Sequence, residues 1–189
     1  MPGLVAPVAD EREGLLAYLA QMRAVLRLTA YGLSDEQIRL RPSASELSIG
    51  GIVQHVARTE QAWTRTIQGR YENDPADYQS AFDVREGTTL ASLLADYEDA
   101  ATETERVVAA IGDLGQAVPV PQGVPWFPDD VEAWSVRWVL LHLITETARH
   151  AGHADIVRES IDGATAFPLM AAAERWPATP WMQPWQPAS

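Results

Sequence analysis

The chain alternates four long stretches of 3.6-residue apolar periodicity with shorter stretches rich in glycine, proline and polar residues, and no run of strict strand-like alternation competes with them. The first amphipathic stretch covers about residues 10–31, where Leu15, Leu16, Leu19, Met22 and Leu26 share one face and Gly32 ends the helix. A polar connection, LSDEQIRLRPSASELSIGG, follows, with room for one helical turn over 34–38 and with Ser48 as a cap for the next helix. That helix, about 48–71, carries Ile49, Ile52, Val53, Val56, Trp63 and Ile67, and a turn-rich crossing over 72–87 comes after it. The third, about 88–111, uses Leu90, Leu93, Leu94, Tyr97, Val107 and Val108, turns acidic residues such as Asp96, Glu98 and Glu103 outward, and stops at Gly112. After the loop GDLGQAVPVPQGVPWFPDD, a fourth helix starts at about 130–135 and runs to about Ile161, with Gly163 as its stop. The pattern predicts an all-α protein, a four-helix bundle with at least one crossover connection.

The remaining segment, FPLMAAAERWPATPWMQPWQPAS, is too rich in proline to be helical throughout, and its tryptophans predict a tail lying against the bundle, with a partner-binding segment as the alternative. No internal repeat or low-complexity tract is present. We expect one domain over 1–189, with a helical core at about 10–163 and a C-terminal tail over 164–189, because 189 residues suffice for one sizeable core but not for two comfortable ones.

Composition narrows the functional classes. A formal net charge of -12 with only 14 Lys and Arg predicts a surface that repels phosphate backbones and anionic lipid, so neither nucleic acid nor membrane is the expected partner. No apolar run is long enough to span a bilayer, and the first residues, MPGLVAPVADEREG, lack a basic segment followed by an apolar one, so the expected location is cytoplasmic. The chain has no cysteine, which removes disulfides, thiolate ligands and a protein-borne thiol nucleophile. Sulfur chemistry would need a sulfur that arrives with a substrate. Nucleophile-elbow, metalloprotease, phosphate-loop and dinucleotide signatures are absent.

The fourth helix holds the candidate chemistry in ITETARHAGHAD, residues 144–155. At 100° per residue His150 lies about 40° from Glu146 on the helix wheel, and His153 about 20° on its other side. Val139, His142 and Leu143 extend the stripe one way and Val157 the other, so a face with apolar ends has a polar middle. Burying an unpaired carboxylate costs several kcal/mol, so such a cluster needs a common partner, and a divalent cation is one that suits all three side chains. Glu146 and His150, one turn apart, suit zinc or nickel, and a ligand from another helix would complete a site with an open position. His55, in SIGGIVQHVARTEQAW, is the one histidine outside the fourth helix; it lies at the edge of its helix's apolar stripe and could reach inward. The plainer readings are a boundary histidine at 55, an i,i+4 pair at 146 and 150, and a core or supporting histidine at 142.

GGIVQHVARTEQAW and SVRWVLLHLITETARHAGHADIVRESIDG resemble the DinB-like superfamily, in its actinobacterial branch of mycothiol-dependent transferases and maleylpyruvate isomerase-like proteins, over about residues 10–163. The resemblance implies an up-down-down-up bundle that binds a divalent metal through His55, Glu146 and His150. Many relatives carry histidine at the position of Glu146, whereas the isomerase resembles this chain in having glutamate. His153 falls where many relatives have glutamine, which makes it an additional ligand or a neighbour of the site. Arg149 and Arg158 flank the motif and could meet an anionic group on a cosubstrate, or could simply face solvent. The function implied is a metal-dependent transferase that activates a low-molecular-weight thiol, such as mycothiol or bacillithiol, for transfer to an electrophilic small molecule. A metal-dependent hydrolase and a non-enzymatic metal-binding bundle acting through dimerisation are the alternatives, and a homodimer is the expected assembly.

Overall fold

A computed structural model describes residues 3–71 and 80–187. Four long helices form the body: α1 Glu11–Thr29, α2 Ile49–Ile67, α3 Leu90–Ala109 and α4 Val136–Asp162. A 3-10 turn at Gln37–Arg39 occupies the first connection, and a short α5, Ala166–Ala173, follows the bundle. Each long helix starts where its sequence offers a cap. The side chains of Asp10, Ser48, Thr89 and Ser135 accept from the backbone N–H groups of Glu13, Gly51, Ser92 and Trp138. Gly163, at φ 73°, ends α4 in the left-handed region that glycine enters without penalty.

Cross-helix contacts give the topology. Arg12, at the start of α1, donates to the Val108 carbonyl at the end of α3, so these two helices are antiparallel. The Thr64 and Thr104 hydroxyls meet at 2.8 Å on neighbouring helices α2 and α3, which run in the same direction. Arg137 pairs with Glu11 at one end of the α1–α4 contact, and Arg158 donates to Thr29 at the other, so α1 and α4 are parallel. The order is up-down-down-up. A parallel α2–α3 pair requires the long crossover that the sequence predicts; residues 72–79 of that crossing lie outside the described residues.

Two apolar clusters fill the interior. One gathers Leu26, Ile38, Ile49, Ile52, Val53 and Tyr97 with Ala154 and Val157; the other gathers Leu19, Trp63, Val108, Val118, Val139, Leu140 and Leu143. The Gly- and Pro-rich segment before α4, read from sequence as loop, contains two three-residue strands, β1 Ala117–Pro119 and β2 Ala133–Ser135, paired antiparallel with Val118 opposite Trp134. The pairing buries Val118 completely and feeds Ser135 into the cap of α4.

Charged residues also enter the core. Arg23 of α1 pairs with Glu60 of α2, both almost fully buried, and also reaches Glu105 of α3 at 2.9 Å. Arg158, with no exposed surface, donates to the carbonyls of Thr29 and Tyr31 at 2.8 and 2.7 Å and to both carboxylate oxygens of Asp162. It thereby satisfies carbonyls that the end of α1 leaves without helical partners. The guanidinium also lies 4.9 Å from the Trp185 ring, which covers Gly32, so the tail packs on the bundle through an aromatic ring as the sequence suggests. Among the described residues, no helix is long and apolar enough to cross a membrane.

Candidate metal centre

His55 projects from the second turn of α2, and Glu146 and His150 from consecutive turns in the middle of α4. The antiparallel α2–α4 contact brings them together. Oε1 of Glu146 lies 3.2 Å from Nε2 of His55 and 3.2 Å from Nε2 of His150, and one ligand atom from each residue falls within 4.8 Å of the others. The side chains are partly shielded, with His150 the most buried. The hydrogen bonds from His150 and then His55 hold the Glu146 carboxyl far below the usual carboxylate range, against the opposing effect of burial.

The ring of His55 is stacked on Phe82, centroids 4.2 Å apart, and Phe82 also leans against His150 at 5.6 Å. A small residue at 51 makes this possible. A Cβ on Gly51 would stand 2.3 Å from the Phe82 carbonyl oxygen, so the GG step at the start of α2 admits the backbone that delivers Phe82 to the histidines.

Glu146 and His55 also border a cavity of about 370 Å³ that extends along α2 and α4 past Thr59, Ala62, Trp63, Thr66 and His142 to Trp126 and Phe127. Thr59, Ala62 and Thr66 follow His55 at steps of four, three and four residues, which places them on one stripe of α2. Small side chains on that stripe leave the space open.

The other sequence candidates are distributed around this centre. His142 lines the cavity, stacks face to face on Trp138 at 5.3 Å, and has its pKa lowered by burial with partial opposition from the Glu146 charge. His153 packs edge-on against His150 at 5.5 Å and contributes no atom to the three-residue cluster; the Nδ1 atoms of His150 and His153 are both buried without a hydrogen-bond partner among the described residues. Arg149 is exposed. Arg158 is neither on a solvated face nor free to meet a cosubstrate, because its donors are committed to Thr29, Tyr31 and Asp162 inside the protein. That corrects both readings offered for it from sequence. Phe82, Trp126 and Phe127 were not singled out by sequence reasoning, since each comes from a connecting segment whose path the helical period does not specify.

The comparisons with known proteins agree with this architecture. A solved structure described as the conserved protein of locus from Enterococcus faecalis superposes with a TM-score of 0.62 at 13% identity, covering 83% of this chain and 100% of the other, and so shares the fold. No curated protein matches. The family model described as mycothiol-S-transferase matches residues 14–163, a span that contains all four bundle helices from the first turn of α1 onward, together with His55, Glu146 and His150. The chain belongs to the mycothiol-S-transferase family, on an all-α DinB-like fold.

Proposed function

We propose that the protein binds one divalent cation through His55, Glu146 and His150 and transfers the sulfur of a mycothiol-like thiol to an electrophilic small molecule. The observation that carries this reading is the convergence of three donor atoms beside a cavity. Three lone-pair-bearing atoms within 4.8 Å of one another repel unless protons or a cation lie among them, and two imidazole nitrogens with one carboxylate oxygen form a donor set suited to zinc or nickel. When bound in such a set, a divalent cation supplies a Lewis acid that lowers the pKa of a thiol or water sharing its coordination sphere.

The chain's own residues do the rest. Glu146 brings the formal negative charge, and its two imidazole neighbours fix the carboxylate's orientation from α2 and from its own helix. Phe82 covers the His55 ring on one face and limits access of water from that side. The cavity gives a second reactant a place next to Glu146. Since the protein has no cysteine, the nucleophilic sulfur belongs to the cosubstrate.

The test joins metal analysis with a conjugation assay. Protein purified without a chelator or histidine tag should contain about one first-row divalent ion per chain, and His150→Ala should lose it with the helical content intact. Wild-type protein with metal and mycothiol should consume monochlorobimane faster than the thiol alone. Metal-free protein of full helicity would overturn the ligand assignment; metal binding without acceleration by any low-molecular-weight thiol would overturn the transfer reading.

A further inference from the structure

The rings of Trp134, Trp138 and His142 stack face to face, at 4.5 Å and 5° and then at 5.3 Å and 7°, in four-residue steps that end at Glu146. Trp63 crosses this row edge-on, 5.2 Å from Trp134 and 4.9 Å from His142, and touches Phe127 at 5.7 Å. The arrangement is rigid because each ring is held by at least two others. Of these rings Trp63 and His142 line the cavity, backed by Trp134 and Trp138, and Phe127, Trp126 and Tyr71 add further aromatic lining.

This wall suits one of the two reactants better than the other. None of the described residues lining the cavity is arginine or lysine, and six of them carry aromatic rings: His55, Trp63, Tyr71, Trp126, Phe127 and His142. An anionic ligand entering there would give up its hydration without meeting a cationic side chain. A hydroxyl-rich thiol would place most of its donors and acceptors against ring faces, with the hydroxyls of Thr59, Thr66 and Tyr71 as the few polar groups of that kind in the lining. A flat, polarisable, uncharged molecule meets neither penalty, and aromatic surfaces of this kind favour stacked or edge-on ring contacts. A cavity of roughly 150 Å³ already accommodates a benzene ring, so about 370 Å³ matches a two-ring system.

We infer that this cavity is the binding site of the electrophile, and that it selects an uncharged planar molecule of one or two aromatic or conjugated rings. The inference rests on the thiol-transfer reading for its chemical consequence and on the cavity alone for its binding consequence. In the transfer it entails, the thiol sulfur forms a bond to a carbon of the ring system while the bond from that carbon to its leaving group breaks. The departing group takes that bond's electron pair, the thiol proton passes to solvent, and no oxidant or reductant is consumed.

The test uses unreactive probes and the full chain after chelator treatment, so that it stands apart from metal and thiol. Calorimetry should give saturable binding of 2-naphthol at neutral pH, with quenching of tryptophan fluorescence, and binding of the 2-naphthoate anion, which carries the same two rings, at least tenfold weaker, a difference on the order of one missing charge partner. Trp126 is 57% exposed, so Trp126→Ala removes a cavity wall without removing core. It should weaken 2-naphthol by roughly three- to tenfold, the loss expected for one ring contact, as should Phe127→Ala. Trp181→Ala, outside the cavity and 79% exposed, should leave the Kd unchanged. His150→Ala should also leave it within twofold while abolishing metal binding, which separates failure of this inference from failure of the metal assignment. No saturable 2-naphthol binding, equal affinity for the anion, or indifference to both ring substitutions would overturn the inference.

Discussion

Replacing Arg158 by methionine distinguishes a scaffold arginine from a cosubstrate-binding one. Methionine keeps most of the aliphatic stem and removes the guanidinium. The Thr29 and Tyr31 carbonyls then lose donors at 2.8 and 2.7 Å, Asp162 loses both of its charge-assisted bonds, and the Trp185 ring loses the cation lying 4.9 Å from its centroid. Asp162 keeps some access to water, with 14% of its side chain exposed, and still accepts from the backbone N–H of Ala164. The Thr29 end of α1 has less relief, since that residue is buried. Removing one partner of a buried charged pair costs about 3–5 kcal/mol. For a domain of this size each kcal/mol corresponds to about 2–4 °C in melting temperature, so we expect a decrease of roughly 6–20 °C with metal content per folded chain unchanged. Thermal melts followed by circular dichroism, with metal analysis on the same samples, provide the measurement. A melting temperature within about 2 °C of wild type, accompanied by a raised KM for the thiol, would refute the structural role and return Arg158 to the cosubstrate.

Two further perturbations test the packing that supports the site. Glu60→Gln leaves the Arg23 guanidinium buried with only the half-exposed Glu105 as an ionic partner, and should cost roughly 3–5 kcal/mol by denaturant titration, whereas Glu105→Gln should cost under about 1 kcal/mol because that partner is solvated; equal effects would show that burial is not the deciding factor. Gly51→Ala places a methyl 2.3 Å from the Phe82 carbonyl oxygen, which overpacking places at about 1–3 kcal/mol, and the displaced Phe82 should weaken metal binding by roughly 10–100-fold, as disturbance around ligating histidines does; unchanged metal affinity in a folded variant would mean that Phe82 does not position His55.

Helices α1 to α4 were legible because each repeats an apolar face over at least five turns and begins at a Ser, Thr or Asp that can cap it. The predicted ends of the first three helices ran two to four residues too long, at Tyr31 against Thr29, Tyr71 against Ile67 and Ile111 against Ala109, while the fourth extends one residue past Ile161 to Asp162; the last turn of a helix and the turn that follows it have similar composition. The β1–β2 pair was not legible. Three-residue strands have too few positions to show a period, and their segment is dominated by the Pro and Gly that ordinarily mark loops. Arg158 was misplaced, and the buried Arg23–Glu60 pair drew no reading, for a different reason: periodicity assigns charged residues to solvent, and only the fold reveals that a guanidinium can be buried once another helix presents carbonyls or a carboxylate to it.

The site was half legible for a related reason. Glu146 and His150 belong to one helix, so their spacing alone puts them on one side of it. Bringing in His55 required a second helix to run antiparallel at the right register, which no local pattern states; scarcity of histidines and the resemblance supplied the pairing, and the 3.2 Å separations from Glu146 Oε1 are consistent with it. The aromatic cavity was the least legible part, although one local signal was present. His55, Thr59, Ala62 and Thr66 occupy one stripe, and a helix that follows a histidine with short side chains on the same face leaves room beside it. Large residues there would have packed the histidine into the core. A reactive group beside open space, rather than the group alone, is therefore the pattern by which this chain's sequence distinguishes a site from a satisfied interior histidine.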